Sequence, residues 1–195
     1  MAKARQPRKP RAPRKPRAKA PPPQFHVLVD NQEKKPWLFP PDEAEGCLGS
    51  TVLSMDTGDY TLLGYESVLC IERKGSTGEV AQNVTQARFE RELERMRQFP
   101  VRAVILEFSL EDVLRFPDNS GIPQSKRRFI RITPQFLLKR ILELQHTHDV
   151  PFIFAGRCGR VAALSLFSRV LLGELPPPPP DRKDAKTCPD DTPAP

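Results

Sequence analysis

No run of about 18 uncharged apolar residues occurs in the chain, which excludes an ordinary membrane-spanning helix. The most apolar stretch, residues 150–173, is broken by Arg157, Arg160 and Arg169. The N-terminus lacks the apolar middle segment of a secretory signal, and its serine-free, proline-dense composition is unlike a transit peptide. Cysteine is scarce. Cys47, Cys70, Cys158 and Cys188 show no C-x-x-C spacing, so neither a disulfide framework nor a zinc site is indicated, and a reducing compartment is expected. No internal repeat is visible.

Acids are missing from the first 19 residues, and this localises the charge. Lys3, Arg5, Arg8, Lys9, Arg11, Arg14, Lys15, Arg17 and Lys19 account for more than the whole formal net charge of +7, so the rest of the chain is weakly acidic. The 23 prolines crowd toward the two ends. Residues 1–23 and 176–195 hold too few large apolar side chains to offset the entropy of ordering and are expected to be disordered tails. Residues 24–175 remain as one domain, long enough to bury a core. The basic Pro-Arg-Lys tail suits a phosphate polyanion, DNA above all, through non-specific contacts that release counterions.

Between the tails, strand and helix patterns alternate. His26–Asp30 reads as a short buried strand, Tyr60–Leu63 and Val68–Lys74 as two strands joined by a turn at 64–67, and Val101–Phe108 as a central strand apolar on both faces. Gly78–Phe99 is helical in composition, with Phe89, Leu93 and Met96 on one face. Thr133 and Pro134 open a further helix as N-cap and first-turn residue. Pro151–Ala155 is a buried strand, and Val161–Leu172 a closing helix with an apolar surface. This order predicts an α/β fold with a mixed central sheet flanked by helices.

The chemistry concentrates between Asp59 and Lys74. Alternation along a strand puts Val68, Cys70, Glu72 and Lys74 on one face and Leu69, Ile71 and Arg73 on the other. A hairpin brings Asp59, at the start of the partner strand, beside Glu72. Two readings fit. Asp59 is a turn residue and Glu72–Lys74 a solvated strand end, or the two carboxylates are hard-oxygen ligands for Mg²⁺ or Mn²⁺ with Lys74 serving the attacking water or the phosphate charge.

The ordered runs VLVDNQE (27–33), GDY (58–60) and IERK (71–74) resemble the ERCC-type nuclease domain of the XPF family of endonucleases. The similarity spans about residues 26–172, through Ala87-Arg88-Phe89, the strand Ala103–Glu107 and the helix around Ala162-Ala163-Leu164. It implies a restriction-endonuclease-like fold and metal-dependent hydrolysis of phosphodiester bonds in branched, flapped or junction DNA, in a repair or recombination setting. It further implies that Asp59 and Glu72 bind Mg²⁺ or Mn²⁺ with the Arg73 carbonyl, that Lys74 is the catalytic lysine, and that Asp30 and Glu33 line the same pocket, binding metal directly or through water. Arg73 would orient the carboxylates or touch the scissile phosphate. A homodimer, or a heterodimer with an inactive relative, is expected through the nuclease domain, with residues 161–172 as the candidate surface. No membrane is involved; the setting would be the cytoplasm and nucleoid of a prokaryote or phage host, or a nucleus.

Two departures stand out. Asn31 and Gln32 occupy positions where the family has a variable residue and then arginine, and Gly78 stands where it has aspartate. Either Glu79 substitutes from a shifted helix start, or that acid is dispensable. The Pro176–Pro180 run leaves no room for a tandem helix-hairpin-helix module, so a stand-alone nuclease module is expected. The alternative function is a non-catalytic DNA-binding scaffold or partner subunit on the same fold; degenerate relatives lose the GDY or ERK acids, whereas Asp59, Glu72 and Lys74 are present here.

Among weaker candidates, Lys126, Arg127, Arg128 and Arg131 either grip a DNA backbone or solvate a loop. Arg88 and Arg91 flank Phe89 on a helix with Glu90, Glu92 and Glu94, so DNA contact and intrahelical pairing both explain them. His146, His148 and Asp149 read as a helix end rather than a metal cluster, and Trp37 as a residue at the edge of the core.

Overall fold

The computed structural model describes residues 22–174; the two tail segments of the sequence reading lie outside them, apart from Pro22 and Pro23. Strands β1 (Phe25–Asp30), β2 (Cys47–Leu53), β3 (Tyr60–Leu62), β4 (Leu69–Lys74), β5 (Val101–Leu106) and β6 (Phe152–Phe154) form one sheet in the order β2-β1-β3-β4-β5-β6. Pairing is antiparallel at β1/β3 and β3/β4 and parallel at β2/β1, β4/β5 and β5/β6, so the sheet is mixed, as expected.

Period-two alternation along β4 divides the core. Cys70 faces a layer made by α1 (Thr77–Asn83), α2 (Ala87–Met96) and α5 (Pro134–His148), with Val80, Phe89, Leu93, Met96, Leu137 and Ile141 packed together. Leu69 and Ile71 face the other side, where Phe39, Tyr60 and α6 (Gly159–Leu171) close the core through Ala163 and Phe167. The inward stripe of α6 is therefore ordinary core, while Val161 and, just beyond the helix, Leu172 stay exposed. Val68 ends before β4 begins and packs with Leu69 rather than with Cys70.

The single helix expected over Gly78–Phe99 is two. Ser76 caps α1 by accepting from the Glu79 amide, the helix stops at Asn83, and Gln86 is extended (φ −107°, ψ 126°) before α2 starts. β2 was not anticipated: an edge strand with Gly49 inside and exposed Leu48, Thr51 and Val52 has no clean alternation. The connection after β5 carries two short helices, α3 (Leu110–Leu114), opened by a Ser109/Asp112 capping box, and α4 (Gln124–Arg127). Thr133 caps α5 as predicted, accepting from the Phe136 amide at 3.1 Å. Asp149 ends that helix in the left-handed region, and His148 turns inward to Glu94, so His146, His148 and Asp149 form a helix end and no metal cluster. Among the described residues no helix is long and apolar enough to cross a membrane.

Candidate functional site

Register brings the site together. The Asp30 amide donates to the Asp59 carbonyl at 2.9 Å, and the Asp59 amide to the Ile71 carbonyl at 2.8 Å. The ends of β1, β4 and β5 and the start of β3 thus meet at one edge of the sheet, over a cleft of about 1040 Å³ lined by Asp30, Glu33, Asp59, Glu72, Arg73 and Lys74 among others. Gly58 permits the tight entry to β3. Its φ is +76°, and a Cβ there would sit 2.5 Å from Cys70 Sγ, so only glycine fits this approach.

Glu72 and Lys74 are buried on one side of β4, at 4 % and 6 % exposure, with Lys74 Nζ 2.5 Å from Glu72 Oε1 and 5.2 Å from the centre of the Phe89 ring. The strand end is therefore not a solvated one. Asp59 Oδ2 accepts the Arg73 backbone amide at 2.7 Å, which aims its carboxylate at the mouth of the same cleft. The Arg73 carbonyl shares that side of the strand, since a strand residue's N–H and C=O point the same way.

At the inner end of the cleft two carboxyls, Asp59 and Glu72, stand with one ammonium, Lys74. Burial pushes the Asp59 carboxyl up to about 7, against the downward pull of the Arg73 amide and the Lys74 ammonium. Burial likewise holds Glu72 well above the carboxylate range; Lys74 opposes this, and Asp59 and Glu92 add to it. Burial works against the Lys74 ammonium, but the Glu72 carboxylate outweighs it, and its pKa lies above the ordinary lysine value. Asp59, Glu72, Glu79 and Glu92 all line a cleft in which Lys74 is the one buried cation among the described residues.

The other predicted residues occupy different positions. Asp30 is buried and organises the loop after β2, its two oxygens accepting from the Met55 and Gln32 amides at 3.0 and 3.3 Å. Glu33 is bound to the Arg73 guanidinium at 3.2 Å. Among the described residues no three His, Cys, Asp or Glu side chains converge closely enough to cage a metal by themselves. Asp30 and Glu33 line the cleft but do not join Asp59 and Glu72 in one donor cluster. The Arg73 guanidinium points to the opposite side of β4 from Lys74, bridging Glu33 and Glu107 and lying 5.4 Å over Trp37. It is the Arg73 backbone, not its side chain, that meets Asp59.

Arg88 is exposed at the cleft wall, and Arg91 is exposed; neither pairs with an acid of α2 among the described residues. Two of the acids named beside them pair elsewhere, Glu90 with Arg140 of α5 and Glu94 with Arg97 and His148, while Glu92 lines the cleft. Lys126 and Arg127 lie on α4 and Arg128 in the turn after it.

One group escaped the sequence reading as a site neighbour, Glu107. Glu107 receives both the Trp37 indole N–H, at 2.7 Å, and the Arg73 guanidinium, and Trp37 stacks on Tyr60 at 4.9 Å. This latch fixes β4 against β5 and β3, but its members are 34 and 70 residues apart, so no local spacing could show it. Glu79, in the first turn of α1, accepts the Gly75 amide at 2.9 Å and comes within 3.7 Å of Lys74 Nζ. Gly78 cannot carry a side chain, because a Cβ there would lie 2.4 Å from the Ser120 carbonyl oxygen.

The mixed six-stranded sheet with helices on both faces is the architecture of the XPF fold. Among solved structures, the chain is similar to XPF from Aeropyrum pernix (TM-score 0.50, 17 % identity, 82 % of this chain and 68 % of that one). It is also similar to XPF from Aeropyrum pernix in complex with DNA (TM-score 0.52, 17 % identity, 77 % and 66 %). The chain thus spans about two thirds of those proteins' length. No protein-family model and no curated protein matches the sequence.

Proposed function

We propose that this chain is a metal-dependent, structure-specific DNA endonuclease that hydrolyses phosphodiester bonds in branched or flapped DNA. The observation that carries the reading is the buried pair Glu72–Lys74 beside Asp59 in the cleft of an XPF-like fold. The donor set suits Mg²⁺ or Mn²⁺: Asp59 and Glu72 each keep an oxygen outside the contacts made to Arg73 and Lys74, and would hold the ion together with the Arg73 carbonyl and water. A bound dication supplies charge neutralisation at the scissile phosphate and a more acidic water.

The chain's own groups do the rest. The Arg73 amide keeps the Asp59 carboxylate oriented, and burial of Glu72 keeps bulk water from competing for it. Lys74 stays protonated beside Glu72 and holds a positive charge where charge develops on the phosphate. Glu79 stands where it can steady Lys74 from the second side. Assembly with a second copy or an inactive relative belongs to the same reading, with Val161 and Leu172 on the outer surface of the α6 region available for it.

The test is incubation of the full chain with flap, fork and four-way-junction DNA in Mg²⁺, Mn²⁺ or EDTA. Cuts that require metal support the endonuclease; binding without cleavage under every metal supports the scaffold. A second result concerns the basic tail, which lies outside the described residues. Removing residues 1–20 is expected to weaken DNA binding and flatten its salt dependence by up to about 0.9 log units per lost phosphate contact. Fluorescence anisotropy across a salt series measures the slope, and an unchanged slope removes the tail from the DNA interface.

A further inference from the structure

Phe129 is 71 % exposed, the most solvent-open large apolar side chain among the described residues. It is presented rather than frayed. Its amide donates to the Lys126 carbonyl at 3.1 Å and the next amide, of Ile130, to the Arg127 carbonyl at 3.0 Å, so the turn after α4 is fixed. Ile122, Ile130 and Ile132 on either side face inward against the core. Arg127 also turns inward, donating to the Ile122 carbonyl at 3.1 Å and pairing with Asp118 at 2.9 Å. The turn therefore leaves one aromatic ring outside while its aliphatic neighbours are partly buried against the core.

The charge around the ring is one-sided. The Arg128 guanidinium lies 4.8 Å from the Phe129 ring centre, and Lys126 and Arg131 are exposed nearby in sequence. Asp118, the one acid between residues 118 and 133, is taken by Arg127. The same segment contributes Gly121 to the cleft and sets the Ser120 carbonyl against the start of α1, which carries Glu79. An aromatic ring with a guanidinium on it, in a segment whose exposed charges are cations and which reaches the cleft at Gly121, is poorly suited to a protein's apolar surface and well suited to a polyanion with open base faces.

We propose that Arg128 and Phe129 form a stacking platform for an unpaired base of the DNA, with Lys126 and Arg131 holding the adjacent phosphates. The inference rests on the nuclease reading and deepens it: the platform selects a single-stranded arm, because the bases of a closed duplex offer no free face along its length.

The experiment uses the full chain in EDTA, so that binding is read without cleavage, on a single strand, a splayed-arm fork and a blunt duplex. Phe129→Ala is expected to weaken the first two by roughly 5- to 150-fold and to leave the duplex and the unfolding midpoint unchanged; Phe129→Trp retains affinity. A 2-aminopurine in the arm loses emission on binding the wild type but not Phe129→Ala. Equal losses on all three DNAs, or none, overturn the platform. So does a Phe129→Ala chain that changes oligomeric state in sedimentation while binding single strands normally, which would make the ring a protein contact. If the wild type binds and cuts forks and Phe129→Ala does so equally well, the platform alone fails. If the wild type binds no DNA, the nuclease reading fails with it.

Discussion

Asp59→Asn is expected to lower the cleavage rate on fork or flap DNA by roughly 10³-fold or more, with DNA affinity in EDTA little changed. On the proposed reading Asp59 is one of two carboxylate ligands, and its loss would remove several kcal/mol of charge stabilisation at the reacting phosphate, about 1.4 kcal/mol corresponding to each factor of ten. The amide substitution is chosen because its carbonyl can still accept the Arg73 N–H that Asp59 Oδ2 receives at 2.7 Å, so the start of β3 keeps its anchor. It also removes a carboxyl whose ionised form burial disfavours, so the fold should survive. Glu72→Ala should abolish cleavage equally but at a cost in stability, since Lys74 would be left buried without its 2.5 Å partner; breaking such a pair costs about 3–5 kcal/mol. Glu72→Gln separates the two effects. A second readout needs no catalysis: Mn²⁺ should raise the unfolding temperature of the wild type and not of Asp59→Asn, as expected for a ligand bound only by the folded state. Wild-type cleavage by Asp59→Asn would sink the assignment of Asp59, and metal-independent cleavage would sink the endonuclease reading as a whole.

Which parts of this arrangement a sequence can show follows from the range of the forces involved. The β3–β4 hairpin and the strands β1, β5 and β6 were legible because burial imposes a local pattern on them, and Thr133-Pro134 because a helix start needs a cap and tolerates a proline. The convergence of Asp59, Glu72 and Lys74 was legible for the same reason: it follows from alternation along one strand and one antiparallel turn. β2 was not, because an edge strand has one unpaired side and its Gly49 removes a side chain from the pattern. The break at Val84–Gln86 was not, because Val, Thr and Gln carry no strong stop signal. Glu107 and Trp37 were not, because the latch that joins them to Arg73 is made wholly by tertiary contacts between β4, β5 and the segment after β1. The guanidinium of Arg73, expected to orient the carboxylates or touch the phosphate, lies on the side of β4 opposite Lys74, where alternation puts it and Glu33 and Glu107 hold it.

Gly78→Asp, which introduces the acid that the XPF family carries at the resembling position, is expected to destabilise the chain by about 3–5 kcal/mol rather than to improve the site. A Cβ at Gly78 meets the Ser120 carbonyl oxygen at 2.4 Å and Ile122 Cγ1 at 3.2 Å, and the obstructing oxygen is backbone, which cannot swing aside. The added carboxylate would then stand beside that carbonyl oxygen at a buried position. Gly75, three residues earlier, provides the control: its Cβ would find the tip of Arg73 at 3.5 Å and no backbone, so Gly75→Ala should shift stability little. Urea unfolding of the two variants measures the difference. The catalytic counterpart is Glu79→Gln. The structure puts Glu79 within 3.7 Å of Lys74 and on the Gly75 amide, so if it does the absent aspartate's work, Glu79→Gln should slow cleavage of the same DNA without a comparable loss of stability. A Gly78→Asp chain as stable as the wild type and faster in cleavage would mean that the Ser120 segment yields and that the family's acid position is open after all.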